Sequence, residues 1–434
     1  MRSLSRMMAG CLVSFIVLFA MSETALAGSY KILHTFKGAR NPQGDLAMDE
    51  AGNLYGTASY GGASGCIGNG CGAIWRLTPQ PDGTWASSIL HTFSGGEDGG
   101  EPNGGLAWDT HGNLYGTAMV GGNLTCFMFA SSLAGCGVIW KLTPQPGGTW
   151  TESVVHAFAG PDGVMPEGNI TFDSAGNLYG TTANVDIVSP NAPRVWKLSP
   201  NPDGSWTETT LYIFPLIHLY YNKISGGVIG PDGNLYGTTE GGYDGTTGEY
   251  GGTVFQLVPN ADGPWTEHTL HTFTGTNDGG GPFTAPILDQ AGNLYGTTGF
   301  GGAKNMGVVW KLAPNGHGTY SYNVLHTFYG EPAANPLGGL ILDGAGNLYG
   351  TSYSGGSPNC QNPLTMFGVE PGAPGCGTVF KLSPTAQGWR FTILRVFLGV
   401  AAGPLSSLIL DKSGHLYGTT YVGQNGGSVF EITP

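Results

Sequence analysis

The residues with the clearest chemical potential are acidic side chains in glycine-rich segments that recur along the chain. Five of them are candidates for a ligand site: Asp98, Glu101, Asp162, Glu167 and Asp278. Carboxylates that gather at one place can bind a cation such as Ca²⁺, hold a polar ligand, or serve as general acid and base. Several belong to Asp-Gly pairs, which are also ordinary turn chemistry because Asp bonds to nearby amides and Gly accepts positive φ. We favour the turn interpretation, and keep Ca²⁺ as an open cofactor.

The elements that must position these carboxylates belong to a repeat. Gly-Asn-Leu-Tyr-Gly-Thr occurs six times and Gly-His-Leu-Tyr-Gly-Thr once, at residues 52–57, 112–117, 176–181, 233–238, 292–297, 346–351 and 414–419. Each unit of about 60 residues reads as four short strands separated by turns, with no amphipathic helical period. Seven four-stranded antiparallel units predict an all-β, seven-bladed β-propeller.

The two ends of the chain predict how this ring closes. The last unit stops after a third strand at Val429 to Ile432, whereas Lys31 to Phe36 repeats the fourth-strand pattern of other units. We therefore expect the N-terminal strand to complete the last blade in a one-plus-three closure. Such pairing leaves no open sheet edge between the first and last units.

The repeat strongly resembles the GloVer tandem-repeat family of secreted bacterial proteins. Gly-Asn-Leu-Tyr-Gly-Thr-Thr, a following Gly-Gly pair and Gly-x-Val-Phe/Trp-Lys-Leu carry the resemblance, which covers the chain after residue 27. Many members end in an anchor to membrane or wall, and we expect none here. The resemblance implies a propeller-like fold and assigns no activity to particular residues.

Composition and the N-terminus bear on location and partners. Residues 1–27 resemble a secretory signal peptide, with Arg2 and Arg6 before an apolar run and Ala25-Leu26-Ala27 at its end. We expect residues 28–434 to form one propeller domain, secreted or periplasmic and monomeric. The formal net charge of −13 and the lack of a basic run argue against nucleic acid as a partner.

The cysteines outside that leader form three local pairs, each between the second and third strands of one unit. The expected disulfides are Cys66–Cys71, Cys126–Cys136 and Cys360–Cys376. A metal site is a poorer interpretation, because the pairs lie in three different blades and lack the spacing of zinc ligands. The same topology puts these long loops and the crossovers between blades on one face, where we expect the ligand site.

Aromatic residues on these long loops are further candidates, since aromatic rings beside polar groups suit sugars or peptide side chains. They are Tyr60, Phe127, Phe129, Tyr243, Tyr250, Phe300, Tyr353 and Phe367. The apolar crossover at 215–223 is a candidate contact patch. By contrast, we predict turn capping for the repeated Asp of the Asp-x-x-Gly turns, and hydrogen bonding on the outer strand for the repeated His.

No catalytic motif is recognisable in the sequence. The leading hypothesis is a binding or scaffolding module for an extracellular glycan or protein. The alternative is an extracellular enzyme that cleaves carbohydrates or lactones with carboxylates at the mouth of the central channel, with or without Ca²⁺.

Overall fold

A computed structural model describes most of the chain after the leader. The described residues are 28–36, 41–42, 44–62, 66, 70–126, 135–183, 192–215, 224–241, 251–316, 318–360, 374–398, 403–421 and 426–434. The predicted signal peptide at 1–27 lies outside them, as do the loop residues Phe127, Phe129, Tyr243, Tyr250 and Phe367 and most of the crossover at 215–223.

The described residues form 28 β-strands, which divide into seven four-stranded sheets. The chain begins with β1 (Ser29–Thr35). Blade 1 comprises β2 (Ala47–Met48), β3 (Leu54–Ala58), β4 (Ala73–Pro79) and β5 (Trp85–Thr92). Blade 2 comprises β6 (Ala107–Trp108), β7 (Leu114–Ala118), β8 (Val138–Pro144) and β9 (Trp150–Ala157). Blade 3 comprises β10 (Pro166–Phe172), β11 (Leu178–Thr182), β12 (Arg194–Pro200) and β13 (Trp206–Ile213).

Blades 4 to 7 repeat the same order of strands. They comprise β14 (Ile224–Ile229), β15 (Leu235–Thr239), β16 (Thr253–Val258), β17 (Thr266–Thr272); β18 (Ile287–Leu288), β19 (Leu294–Thr298), β20 (Val308–Pro314), β21 (Tyr320–Thr327); β22 (Ile341–Leu342), β23 (Leu348–Ser352), β24 (Thr378–Thr385), β25 (Gly388–Val396); and β26 (Ile409–Leu410), β27 (Leu416–Thr420) and β28 (Ser428–Thr433). Seven antiparallel blades in a ring confirm the predicted seven-bladed propeller.

The N-terminal strand closes the ring, as the sequence predicts. β1 pairs with β28 in antiparallel register from Ser29 opposite Thr433 to Thr35 opposite Ser428, with a bulge between Ile32 and His34. Blade 7 therefore has the strand order β1-β28-β27-β26. The first strand of each blade lies innermost and the fourth lies outermost, so the inner strands surround the central channel.

The repeated Asp caps the turn that leads into the repeated motif. In blade 2, Oδ1 of Asp109 accepts the amides of His111 at 2.9 Å and Asn113 at 2.8 Å. Its Oδ2 accepts Nδ2 of Asn113 at 2.7 Å and the Tyr115 hydroxyl at 3.2 Å. The same network recurs around Asp49, Asp173, Asp289 and Asp343, with His415 in place of the asparagine at Asp411 and with Asp232 in the shifted turn of blade 4. The predicted capping role is confirmed.

The last two residues of the motif serve packing within and between blades. A Cβ added at Gly116 would lie 2.8 Å from both Cε2 and Cη2 of the fully buried Trp140, so only glycine leaves room for this ring. In five blades the motif threonine bonds to the neighbouring blade, as where Oγ1 of Thr419 donates to the carbonyl of Pro42 at 3.1 Å. The motif glycine and threonine therefore have structural roles.

Candidate functional site

The same backbone conformation recurs where each described crossover enters the next blade. The residue before a proline there adopts left-handed φ, with values from 51° to 63°, at Asn41, Glu101, Met165, Gly281, Asn335 and Gly403. In blade 2 the Glu101 amide donates to the Cys71 carbonyl of blade 1 at 2.8 Å, and the Glu101 carbonyl accepts the Met119 amide at 3.4 Å. These residues therefore lie where the inner strands begin, at the mouth of the channel.

Glu101 is the acidic member of this group of pre-proline residues. The backbone requires a conformation that glycine adopts freely and that costs other residues roughly 1–2 kcal/mol. Blades 5 and 7 use Gly281 and Gly403, blades 1, 3 and 6 use Asn41, Met165 and Asn335, and blade 2 has a glutamate. Its carboxylate makes no hydrogen bond with the described residues, and burial raises its pKa above the ordinary value. An unengaged, partly buried carboxyl on a strained backbone is typical of a functional group.

Two tyrosines and an amide accompany Glu101. Asn41 Nδ2 lies 3.4 Å from the hydroxyl of Tyr421, and this contact spans the junction between the first and last blades. Burial raises the pKa of Tyr60, with further increases from the nearby carboxylate of Glu101 and from Tyr421. Burial also raises the pKa of Tyr421. We call Asn41, Tyr60, Glu101 and Tyr421 the mouth cluster.

A second polar group lies further along the inner strands. The carboxylate of Asp45 in blade 1 accepts Nδ2 of Asn169 in blade 3 at 2.7 Å, and the amide of Ser407 in blade 7 at 2.6 Å. Blade 2 contributes Gly105 between them, where a Cβ would collide with the side chain of Asn169. Asp45 therefore ties blades on either side of the ring closure together inside the channel.

Three of the predicted carboxylates have turn-capping contacts. Asp98 accepts the Ser94 amide at 2.9 Å and lies 3.3 Å from Nε2 of His91. Asp162 accepts the Ala159 amide at 2.8 Å and Nε2 of His156 at 2.9 Å. In the equivalent crossover of blade 4, Asp278 accepts the Thr274 amide at 3.0 Å. All three lie beside histidines of the outermost strands.

The remaining predicted residues are spread over several blades. Glu167 lies on the inner strand of blade 3, and its carbonyl accepts the Thr181 hydroxyl at 3.1 Å. The ring of Phe300 covers the glycine backbone at Gly280 and Gly281. Tyr353 is buried, with only 7% of its surface exposed. Tyr60 lies beside a predicted carboxylate, Glu101.

The disulfides confirm the predicted pairing. Cys66–Cys71, Cys126–Cys136 and Cys360–Cys376 are bonded, with Cα separations of 5.0, 5.6 and 5.6 Å. A Cβ at Gly95 of the following crossover would lie 2.8 Å from Sγ of Cys71, so the disulfide loop packs on the crossover. Three disulfides are typical of an extracytoplasmic environment.

The described part of the chain has no group of three or more His, Cys, Asp or Glu side chains arranged to hold a metal ion. The same residues contain no helix that is long and apolar enough to cross a membrane. The mouth cluster offers hydrogen-bonding groups, two aromatic rings and the carboxyl of Glu101.

Comparison with known proteins agrees with the repeat. The model of the Gloeobacter/Verrucomicrobia repeat matches residues 17–191 and again 190–371. The chain therefore belongs to this repeat family, which confirms the resemblance drawn from its motifs. No curated protein matched the chain.

Solved propeller structures share the fold at low sequence identity. A putative 6-phosphogluconolactonase from Bacteroides fragilis is 14% identical, with 87% of this chain and 90% of that chain covered and a TM-score of 0.51. A gluconolactonase from Xanthomonas campestris is 16% identical over 76% and 87% of the two chains, with a TM-score of 0.41. A putative gluconolactonase is 14% identical over 94% and 92%, with a TM-score of 0.42. At such identity the first of these supports the fold alone.

Sequence reasoning missed part of the site. Asn41 and Tyr421 are far apart in the chain, and the ring closure brings them together. Asp45 and Asn169 occupy a position that is glycine in blade 2 (Gly105), so the departure from glycine in the aligned repeats was the available signal.

Proposed function

We propose that this chain is an extracellular binding module that recognises a glycan or a protein through the mouth of its channel. The mouth cluster is the observation that carries the proposal. Two partly buried tyrosines offer apolar ring surface with hydroxyls at their edges, and the Asn41 amide and Glu101 carboxyl supply hydrogen-bonding groups. Sugar rings need this combination of a flat apolar face and polar rim contacts.

The test is binding to a panel of soluble polysaccharide fragments and extracellular proteins, followed by calorimetry on any hit. Tyr60→Ala and Glu101→Gln should each weaken binding at least tenfold, about 1.4 kcal/mol. Tyr329→Ala is the matched control, because Tyr329 is a tyrosine that is 60% exposed in the crossover after blade 5 and lies outside the mouth cluster. Equal effects of the three variants, or no hit in the panel, would refute the proposal.

Export by the N-terminal segment is part of this proposal. It predicts that the mature protein begins at residue 28 and appears outside the cytoplasm. N-terminal sequencing of the exported protein tests the cleavage position. An intact N-terminus beginning at Met1 on exported protein would contradict it.

A second candidate is a lactone-cleaving enzyme, favoured by the raised pKa of Glu101. A carboxyl with a pKa closer to neutrality can accept a proton from water and return it to a leaving oxygen. The Bacteroides fragilis neighbour, described as a putative 6-phosphogluconolactonase, suggests the substrate class to try. Hydrolysis of gluconolactones above the spontaneous rate, lost in Glu101→Gln and retained in Tyr329→Ala, would support it. A wild-type rate equal to the spontaneous rate would eliminate it.

A further inference from the structure

The outermost strands of neighbouring blades meet through one side chain from each. In blades 4 and 5 the ring of His271 stacks on Tyr322, with centroids 3.9 Å apart and planes at 5°. In blades 5 and 6 His326 stacks on Phe391 at 4.0 Å and 1°. Where blade 6 meets blade 7, the guanidinium of Arg395 lies 3.8 Å from the centroid of Tyr30.

Blades 2, 3 and 4 instead carry a glutamate at this register, with Glu152, Glu208 and Glu267 opposite Leu142, Leu198 and Leu257. The strand register that puts Tyr322 opposite Leu312 puts Glu152 opposite Leu142, so a carboxyl occupies the place of an aromatic ring. On blade 1 the facing groups are His91 and the crossover carboxylate of Asp98, which lies 3.3 Å from Nε2 of His91. The Oε1 atom of Glu152 is buried and has no hydrogen-bond partner among the described residues.

The surroundings of Glu152 disfavour its charge. Asp98 is already committed to the turn, where it accepts the Ser94 amide at 2.9 Å and also the Ser94 hydroxyl. A second negative charge beside it, with one oxygen out of water, is repelled and poorly solvated. Burial first, and then the charge of Asp98, raise the pKa of Glu152 to about 7.

We propose that the junction of blades 1 and 2 is a proton-dependent lock, which is tight while Glu152 is neutral and loosens when Glu152 ionises beside Asp98. The direction of this pH dependence follows from proton binding to Glu152. Below the ordinary carboxyl value of 4.5 both folded and unfolded chains carry the proton, and the stabilisation is complete. It is lost progressively as pH rises from 4.5 through about 7, because the folded chain must then give up a proton that the unfolded chain has already lost.

Amide hydrogen exchange between pH 5.5 and 8.5, corrected for intrinsic rates, measures the lock directly. The probe is the Ser94 amide, which is bonded to Asp98. The internal control is the Thr274 amide, which Asp278 accepts in the same way at 3.0 Å, in a junction where Tyr322 replaces the glutamate. We expect protection of Ser94 to fall about tenfold over this range, after discounting the shift for partial exposure, and protection of Thr274 to stay constant.

Two variants complete the experiment. Glu152→Gln removes the charge with little change of shape, and Glu152→Tyr introduces the residue that blade 5 uses. Each should abolish the pH dependence at Ser94. Glu267→Gln is the matched control, since Glu267 occupies the same register opposite Leu257 in blade 4 and faces Tyr212. The proposal is overturned if Ser94 and Thr274 respond alike in the wild type, or if Glu152→Gln retains the wild-type response.

Discussion

The motif glycine of blade 2 offers a sharp test of how the repeat holds its blades together. Gly116 has no left-handed φ, so its need for glycine comes from packing alone. An added Cβ would lie under 3 Å from three atoms of Trp140, a side chain with no exposed surface and no room to move. Overpacking of a rigid core costs about 1–3 kcal/mol and occasionally more. We expect Gly116→Ala to lower the free energy of unfolding by about 3 kcal/mol.

The control is Gly112 in the same motif, which has φ of 78° and nothing within 4 Å of an added Cβ. Gly112→Ala should cost only the left-handed backbone penalty, about 1–2 kcal/mol. Guanidinium unfolding with an unchanged m-value measures both variants. Trp140→Phe should reduce the cost of Gly116→Ala by at least about 1 kcal/mol, as a contact pair requires. A cost of Gly116→Ala no greater than that of Gly112→Ala, or additive effects with Trp140→Phe, would refute the packing argument.

Three further predictions concern the caps, the threonines and the disulfides. Although burial opposes it, hydrogen bonds from Asn113 and from backbone amides hold the pKa of Asp109 below its ordinary value of 3.8. The cap therefore stabilises the protein above that pH, and this stabilisation is lost as pH falls through the lowered pKa. Asp109→Ala should lower the free energy of unfolding by about 1–2 kcal/mol at neutral pH and leave it unchanged in strong acid. Thermal melts measured as a function of pH check this. Thr419→Val should lower the free energy of unfolding by about 1 kcal/mol, because it breaks the hydrogen bond to the neighbouring blade. Thr117→Val should be neutral or stabilising in the same unfolding assay, since the Thr117 hydroxyl is buried without a partner among the described residues. Replacing Cys126 and Cys136 by serine should cost about 2–3 kcal/mol without changing the circular dichroism of the strands, and a loss of β signal would contradict a purely local role.

The fold could be predicted because the same pattern of turn and strand residues recurs seven times. Turn residues, the apolar third strand and the unpaired ends all point to one ring with one closure, and the six loop cysteines can pair only locally within it. The site was harder to predict, because the ring brings together residues that are distant in sequence. Asn41 and Tyr421 meet only when β1 joins the last blade, and no local pattern in either segment indicates this contact.

Departures from the repeat are therefore the best guide to what is particular to this chain. A side chain that recurs in most blades, such as the motif tyrosine, is explained by a bond that every blade needs. A side chain that differs from its counterparts in other blades has no such explanation, because those blades fold without it. Glu101 replaces the asparagine, methionine or glycine of other blades, and Glu152 replaces the aromatic ring of blades 5 and 6, although blades 3 and 4 also have a glutamate there. Both replacements carry a cost that the architecture does not require, so we expect mutation of either residue to affect binding or pH response more than assembly of the propeller.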